Sequence, residues 1–319
     1  MKRITEILLP PLLVIALLCG LLVQPVLSID ETLLENRASA ELLRRHVDTL
    51  VLQMPPRSHN ADSLKKSADY IHKTFSQYHK ARVSYQPFDV WGIGYHNVMA
   101  SFGPEEGKRF VIGAHYDSHD GLPGADDNAS GVAGLLELAR LLNGKELARR
   151  VDLVAYALEE MPSFRTPDMG SAHHVERLKE EGVEVELMIS LEMIGYFDDT
   201  PGSQLYPAPL LEHLYPDTGN FIAVVGNLAQ IPEVRRVKRA MQSAAKLPVY
   251  SINAPVIIPG IDFSDHLNFW RAGYPAVMIT DTADSRNKAY HTEQDTPESL
   301  DYVRMAEVVN GVFGVVISE

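Results

Sequence analysis

Residues 113–131 form a short stretch that is rich in groups able to bind a metal ion. Its sequence is GAHYDSHDGLPGADDNASG, and its candidate ligands are His115, Asp117, Asp120, Asp126 and Asp127. Imidazole nitrogen and carboxylate oxygen are ligands that zinc commonly takes in proteins. The stretch therefore predicts a zinc site.

A pair of adjacent carboxylates, Glu159-Glu160, ends a second apolar run further along the chain. Glu192 comes directly after a third apolar run, and His291 follows Tyr290 near the C-terminus. Two carboxylates at one strand end are expected where one binds a metal and the other moves protons. Each of these residues alone fits a solvated loop charge, but the whole set predicts a catalytic metal centre.

The surrounding elements place these residues at one edge of a predicted sheet. The apolar run 110–112 predicts a buried strand that ends in the polar loop, and the loop leads into a helix. Because ligands of α/β sheets lie beyond the carboxyl ends of the strands, the loop stands where a site is expected.

The carboxylates of this loop have different predicted roles. Asp117 lies on the same side of an extended chain as His115, so it can accept the second imidazole proton. Asp127 and Asn128 directly precede a helix, and in a second interpretation they cap its N-terminus. Asp126 stands one residue further out and can face the metal.

Alternating strands and helices predict an α/β fold. Apolar and period-two runs predict strands at residues 81–88, 95–102, 110–114, 151–157, 184–190, 221–225 and 276–280. Helical spacing predicts helices at 31–53, 63–78, 129–142, 170–181, 233–246 and 298–318. We therefore expect a three-layer sandwich in a single domain over residues 29–319, with helices on both faces of a mixed, mostly parallel sheet. Segments 201–220 and 247–261 are predicted to be loops, the first of them over the site.

The composition excludes nucleic acid as a partner. The chain has 319 residues, of which 45% are hydrophobic and 22% charged, as in an ordinary globular protein. Its formal net charge of -13 and pI of about 5.4 predict a soluble chain that nucleic acid phosphates repel. The sequence also lacks G-x-S-x-G, a P-loop lysine motif and G-x-G-x-x-G, which disfavours a serine hydrolase or a nucleotide-binding protein.

Residues 1–28 are predicted to be a secretory signal peptide. Two basic residues give a charged start, residues 7–23 are almost wholly apolar, and Val26 and Ser28 precede a predicted cut before Ile29. The alternative is an uncleaved anchor, since the apolar run approaches the ~20 residues that a membrane helix needs. In both cases we expect an exported protein, periplasmic or extracellular, with no membrane partner beyond this segment.

The only cysteine, Cys19, lies inside this leader. If the leader is cut, the mature chain has neither a thiol nor a disulfide. That excludes a cysteine nucleophile and a cysteine zinc site.

Six segments of the chain, in order, are GAHYDSH, GADDNASGVAGLLELARLL, ALEE, SLEMIGYF, SDHLNFWRAGYPAVMITD and YHTEQDT. Together they resemble the co-catalytic di-zinc aminopeptidase family, which also includes glutamate carboxypeptidases and glutaminyl cyclases. The likeness spans roughly residue 69 to the C-terminus. It implies a single α/β domain, two zinc ions, and a peptide with a free N-terminus as the substrate.

The resemblance also implies a set of metal ligands. One zinc would be held by His115 and Glu192, and the other by Glu160 and His291. Asp126 would bridge the two ions. Many aminopeptidases of this family have Asp where this chain has Glu192, and the extra methylene changes how the carboxylate can bind the metal.

Catalytic and pocket groups follow from the same resemblance. Glu159 matches the general base, Tyr290 matches a residue that in some members stabilises the developing oxyanion, and Asp117 matches the partner of the first histidine ligand. Asp265-His266 precedes a helix. In one interpretation Ser264 or Asp265 caps that helix and His266 lies on the surface. In the other both belong to the pocket, since glutaminyl cyclases use a corresponding acidic residue in catalysis.

We therefore predict a zinc metallopeptidase, and specifically an aminopeptidase that removes N-terminal residues with metal-activated water. The alternative in this family is a glutaminyl-peptide cyclotransferase with one working zinc, although Tyr290 replaces the Trp usual before the final histidine there. A third interpretation is a non-catalytic binding domain on the same fold, which the intact set of ligands and base disfavours. His119 either lines the pocket or is a solvated loop residue.

Overall fold

The structure, a computed structural model, describes residues 19–26, 29, 31–54 and 56–318. The strands of this part of the chain are β1 Arg82–Val90, β2 Ile93–Phe102, β3 Arg109–His115, β4 Arg150–Tyr156, β5 Val185–Glu192, β6 Ile222–Gly226, β7 Val249–Asn253 and β8 Ala276–Thr280. They form a sheet in the spatial order β1-β2-β4-β3-β5-β8-β6-β7. The predicted α/β fold with a mixed sheet is confirmed.

The middle of the sheet is parallel, and the flanks are mixed. β4, β3, β5 and β8 are parallel to one another, whereas β1 and β2 form an antiparallel hairpin at one edge and β6 pairs antiparallel with β8. β3 and β5 are buried along nearly their whole length, as their apolar sequences require. Because parallel neighbours bring their carboxyl ends to one edge, residues that follow these strands lie close together.

Helices pack on both faces of the sheet. The α-helices described in full are α1 Ala40–Asp48, α2 Ala61–Phe75, α3 Gly131–Asn143, α4 Gly170–Glu180, α5 Ile231–Ala244, α6 His266–Arg271 and α7 Tyr302–Ile317. In β3, Phe110 and Ile112 belong to the larger core, with α1, α2, α3, α5 and α7. Val111 belongs to a second core with α4 and α6. Alternate residues of one strand thus serve two helical layers.

The first predicted helix is shorter than its apolar spacing indicates. α1 begins at Ala40 and not at residue 31, because Ser39 has an extended backbone and its side chain accepts a hydrogen bond from Leu42 N. After Asp48 the chain continues in a wider, π-helical turn at Thr49–Gln53.

The predicted loop at 247–261 is wrong in part, because it contains β7. This strand pairs parallel with β6, and its residues alternate between buried and half-buried positions. The other predicted strands are found within a residue or two at either end. A five-residue strand at the end of a sheet leaves little periodicity for the sequence to show.

Part of the predicted leader packs against the folded body. The charged start and most of the apolar run lie outside the described residues, as does Ser28. Gln24 is fully buried, and its side-chain oxygen accepts hydrogen bonds from the guanidinium of Arg235. Lys238 Nζ donates to the backbone carbonyls of Val23 and Gln24. Over the described ranges, every helix is too short or too polar to cross a membrane.

Candidate metal centre

The first group of predicted ligands stands at the ends of neighbouring parallel strands. His115 ends β3, and Glu192 ends β5. His115 Nε2 lies 3.4 Å from Glu192 Oε2 and 3.3 Å from Asp127 Oδ1. We call His115, Asp127 and Glu192 the first ligand group. All three are buried, and their ligand atoms lie within 4.8 Å of one another, which suits a single zinc ion.

A second ligand group adjoins the first and consists of Asp127, Glu160 and His291. His291 Nε2 lies 3.0 Å from Asp127 Oδ2 and 3.3 Å from Glu160 Oε1. Glu160 Oε1 is buried without a hydrogen-bond partner, as expected of an oxygen that binds a metal ion. The two oxygens of Asp127 face different groups, which is the geometry of a carboxylate that bridges two ions.

The predicted bridging residue is therefore wrong by one position, since Asp127 and not Asp126 faces the centre. Asp126 Oδ1 accepts a hydrogen bond from Gly195 N, and its Oδ2 accepts one from Asn287 Nδ2. Burial and the neighbouring carboxyl group of Asp281 raise the pKa of Asp126 well above its usual range. A neutral, fully hydrogen-bonded carboxyl group is a poor metal ligand.

The backbone before α3 explains this shift of one residue. Asp127 has a non-helical conformation, with φ of -102° and ψ of 91°. The amides of Asp126 and Asp127 donate to the carboxylate of Asp295, a residue far away in sequence. Asn128 Oδ1 accepts from Gly131 N at the start of α3. The helix-cap interpretation thus holds for Asn128 and not for Asp127.

Asp117 joins the two strand ends that carry the site. Its Oδ1 lies 3.5 Å from His115 Nδ1, where the sequence places its partner. The same oxygen accepts a hydrogen bond from Glu159 N, and Oδ2 accepts one from Glu160 N. Asp117 therefore also fixes the turn that presents the glutamate pair, a role that the spacing in the sequence does not indicate.

Glu159 lies inside the centre but outside both ligand groups. It is buried, and the two groups of ligand atoms found among the described residues do not include it. Burial raises the pKa of Glu159 well above its usual range, although the neighbouring charge of His115 acts in the opposite direction. A carboxyl group with a raised pKa is suited to exchange a proton near neutral pH.

Negative charge exceeds positive charge among these side chains. Burial opposes protonation of His291, but the adjacent carboxylates of Asp127 and Glu160 raise its pKa to about 10. Burial likewise opposes ionisation of Asp127, but the imidazoles of His115 and His291 hold its pKa well below the usual range. A cluster of carboxylates that draws protons onto imidazole also attracts divalent cations, and the nitrogen and oxygen donors fit zinc.

Tyr290 borders the second ligand group. Its ring stacks on that of His291, with centroids 3.7 Å apart and planes 19° apart. Burial, followed by the negative charges of Asp127 and Glu160, raises the pKa of Tyr290 well above its usual range. The hydroxyl therefore keeps its proton and can donate a hydrogen bond to a negative charge that develops nearby.

His119 also reaches the second ligand group, although its sequence context does not separate it from a solvated loop residue. Its Nδ1 lies 3.2 Å from Glu160 Oε2. Its ring stacks on His291, with centroids 3.8 Å apart and planes 11° apart. The partners of His119 are distant in sequence, so only the four-residue spacing from His115 signals it.

A family model described as Peptidase family M28 matches residues 97–316. The chain belongs to peptidase family M28. It is 53% identical over 286 residues to the uncharacterized protein YfbL of Escherichia coli, which covers 87% of each chain. It is 25% identical over 260 residues to Leucine aminopeptidase 1 of Ajellomyces dermatitidis, which covers 77% of this chain but only 61% of that protein. These findings confirm the family that the sequence motifs resemble.

A solved structure shares the fold. Glutaminyl cyclase of Porphyromonas gingivalis superposes with a TM-score of 0.66 at 22% sequence identity, covering 88% of this chain and 98% of that one. At this identity the likeness shows the fold alone. A leucine aminopeptidase and a glutaminyl cyclase are thus both among the proteins that this chain resembles.

Asp265 and His266 are both buried at the start of α6. Burial raises the pKa of Asp265 to about 7, and the charge of His115 acts in the opposite direction. His266 Nε2 lies 2.9 Å from the carbonyl of Ile261, its ring meets Trp270 edge-on, and burial lowers its pKa to about 4. The interpretation with a capping Asp265 and a surface His266 is wrong. Of these two residues, Asp265 interacts electrostatically with His115 and Glu192, and His266 does not.

A cavity of about 410 Å³ opens beside Glu192 and Tyr290. Apolar and aromatic side chains form most of its wall, among them Tyr206, Tyr215, Phe221, Tyr250, Phe263 and Met278. The irregular segment 201–220 lines one side, in agreement with the loop predicted there. The two ligand groups therefore border an apolar cavity that is large enough for a bulky side chain.

Proposed function

We propose that this protein is a di-zinc aminopeptidase that removes N-terminal residues from peptides. The position of Asp127 carries the proposal, since one oxygen faces His115 and the other faces His291. A carboxylate shared between two ligand groups suits two ions acting together. The surrounding side chains then supply the remaining parts of a hydrolytic reaction.

Two zinc ions held by the two ligand groups would polarise the scissile carbonyl and supply a bound water with a pKa of ~7. Glu159 accepts the proton of the attacking water and returns it to the leaving amine. The hydroxyl of Tyr290 donates a hydrogen bond to the negative charge that develops on the carbonyl oxygen. Asp117 keeps His115 and Glu159 in place during these steps.

The surroundings favour a substrate with a free α-amine and an apolar first side chain. With zinc bound, an unprotonated α-amine would be a nitrogen donor of the kind that zinc takes, and an acetylated amine would not. The cavity beside Glu192 and Tyr290 offers apolar wall to the first side chain of the peptide. A blocked N-terminus loses the first of these attractions.

The test uses purified protein and matched peptides with N-terminal Leu, Phe or Ala, each with a free or an acetylated amine. We expect about two zinc ions per chain, release of the first amino acid from the free peptides only, and loss of activity with a chelator. A metal content near zero in folded protein, or equal cleavage of acetylated peptides, would contradict the proposal.

A second candidate function is glutaminyl-peptide cyclotransfer with one working zinc. Asp265 favours it, because this buried carboxyl group has a pKa raised to about 7 and so can exchange protons at neutral pH. A peptide with N-terminal Gln, offered beside the Leu peptide, separates the two. Ring closure with release of ammonia, and no release of amino acid, supports the cyclase. Neither product supports a non-catalytic binding domain.

We also propose that the enzyme acts outside the cytoplasm and keeps the end of its leader. A cut before Ile29 removes the carbonyls of Val23 and Gln24, to which the buried Lys238 donates. These contacts support retention of residues 19–26 over a cut before Ile29. N-terminal sequencing of the exported protein decides between them, and a mature chain that starts at Ile29 would contradict retention.

A further inference from the structure

We propose that His119 is a positioning residue that fixes Glu160 and His291 for the second metal ion. The inference rests on the proposed di-zinc function, and nothing in the resemblance to the family assigns a role to this residue. It follows from three contacts in the second ligand group: a hydrogen bond to Glu160, a ring stack on His291, and a second ring stack of Tyr290 on the same imidazole.

The orientation of the two imidazoles argues against His119 as a direct ligand. Its Nδ1 lies near enough to Glu160 and His291 to be counted with them as a possible ligand atom. However, an imidazole nitrogen binds zinc at about 2.0–2.1 Å along a lone pair in the plane of the ring. The two rings are nearly parallel and stacked, so their in-plane lone pairs do not converge on one point.

The hydrogen bond from His119 gives the two carboxylate oxygens of Glu160 different roles. His119 Nδ1 lies 3.2 Å from Oε2, so a proton on this nitrogen is donated to that oxygen. Oε1 lies 3.3 Å from His291 Nε2 and has no hydrogen-bond partner. Glu160 therefore offers Oε1 alone to the ion, and His119 prevents the carboxylate from rotating to offer both oxygens. Hydrogen bonds of this kind orient metal ligands in proteins generally.

The two ring stacks fix His291. Tyr290 and His119 lie 3.7 Å and 3.8 Å from the imidazole of His291, both nearly parallel to it. Two rings at these distances would overlap on one face, so they occupy opposite faces. The imidazole of His291 thus lies between two aromatic rings and cannot turn about its own axis without displacing them.

Such support is needed because the second ligand group is less buried than the first. The side chain of His291 is 27% exposed and that of His119 is 31% exposed, whereas that of His115 is 1% exposed. Packing of the protein interior holds His115 in its rotamer. At the more exposed His291, contacts with the other ligands and with His119 hold the side chain in its rotamer.

Three variants of the full chain separate the two contacts. His119→Ala loses the hydrogen bond and the stack, His119→Phe keeps a stacking ring, and His119→Gln keeps a donor that can reach Glu160. His79→Ala is the matched control, because His79 is exposed and lies outside both ligand groups. Each protein is stripped of metal and titrated with Zn²⁺ against a competing chelator, and with Co²⁺, whose absorption reports the ligands at each site.

We expect His119→Ala to bind the second ion ~10- to 100-fold more weakly and the first ion as tightly as wild type does. His119→Gln and His119→Phe should each bind the second ion more tightly than His119→Ala does. The control His79→Ala should bind both ions as tightly as wild type. The melting temperature of the metal-free protein should fall by no more than a few degrees. An unchanged second-site affinity in His119→Ala, or an equal loss at both sites, overturns the inference.

The Co²⁺ spectrum tests direct ligation. If the second-site spectrum of His119→Ala shows the loss of a nitrogen ligand, and neither Gln nor Phe restores affinity, His119 is a ligand and the positioning role is wrong. The proposed function fails separately. Wild-type protein that binds two ions with the expected dependence on His119, but cleaves no peptide, contradicts the aminopeptidase and leaves this inference in place.

Discussion

The two ligand groups share Asp127 but are built differently. His115 and Glu192 end parallel strands in the middle of the sheet, and their side chains are 1% and 10% exposed. His291 and its neighbour His119 stand on loops, and their side chains are 27% and 31% exposed. In one group the sheet sets the positions of the ligands, and in the other the ligands depend on contacts with one another.

This difference predicts unequal affinities for the two ions. Ligands held by strand ends and by the protein interior are already in place before the metal arrives. Metal binding there therefore loses little conformational entropy. Ligands on half-exposed loops must be ordered by the metal or by neighbours such as His119. We therefore expect a tightly held ion at His115 and Glu192 and a more exchangeable one at Glu160 and His291.

The largest effect is expected where the two groups meet. Asp127→Asn should remove both ions and lower turnover by ~10⁴ or more, because the carboxylate serves both groups and the metal-bound nucleophile is lost. Asp126→Asn should keep both ions and lower the melting temperature by a few degrees, since its oxygens accept hydrogen bonds from Gly195 and Asn287. Metal analysis of both variants checks this. Loss of metal in the Asp126 variant alone would restore Asp126 as the bridge.

The glutamate pair tests base against ligand. Glu159→Gln should retain both ions and near-normal stability while turnover falls by ~10² to 10⁴, because the proton acceptor is lost and the shape is kept. Glu160→Gln should lose the more exposed ion and some thermal stability, because metal binding is linked to folding. Metal content, melting temperature and turnover are measured for each. A fully active Glu159→Gln protein would rule out the general base.

Withdrawal of metal should occur in two steps. Zinc at the half-exposed group should leave a chelator-treated protein at least about tenfold faster than zinc at the buried group, because solvent reaches the former more easily. The time course of zinc release, followed with a colorimetric chelator, provides the measurement. A single phase that releases both ions together would show that the two groups do not differ.

The smallest expected effect concerns pH. The pKa of His291 is raised to about 10 in the folded protein, so its proton stabilises the metal-free fold fully below pH ~6.5 and less as pH rises toward 10. Between pH 6.5 and 8 the melting temperature of metal-free protein should therefore fall by a few degrees. Zinc would take the place of that proton, so the melting temperature of the zinc-loaded protein should fall less over the same pH range. His291→Gln should reduce the difference, and a metal-free melting temperature that rises over this range would contradict the assignment.

The same contrast explains how much of the site the sequence could predict. His115, Glu192 and the Glu159-Glu160 pair end apolar runs, so the strands that position them are visible in the sequence. The family motifs added His291, which no strand end indicates. The sheet itself was predictable for the same reason, apart from the short β7 at its end.

The errors fall where long-range contacts decide the conformation. Asp126 and Asp127 are adjacent, and which of them faces the centre depends on hydrogen bonds to Asp295 and Asn287, which are distant in sequence. The sequence does not indicate that the chain departs from helical geometry at Asp127. His119 became relevant only through its stack on a loop residue from the other end of the chain.

Anomalous diffraction at the zinc absorption edge from crystals grown with zinc tests the role of Asp127 most directly. Two peaks are expected, one beside His115 and Glu192 and the other beside Glu160 and His291, with one oxygen of Asp127 on each ion. A single peak would contradict the di-zinc centre. A second ion bound by Asp126 in place of Asp127 would contradict the bridging carboxylate from which the function is argued.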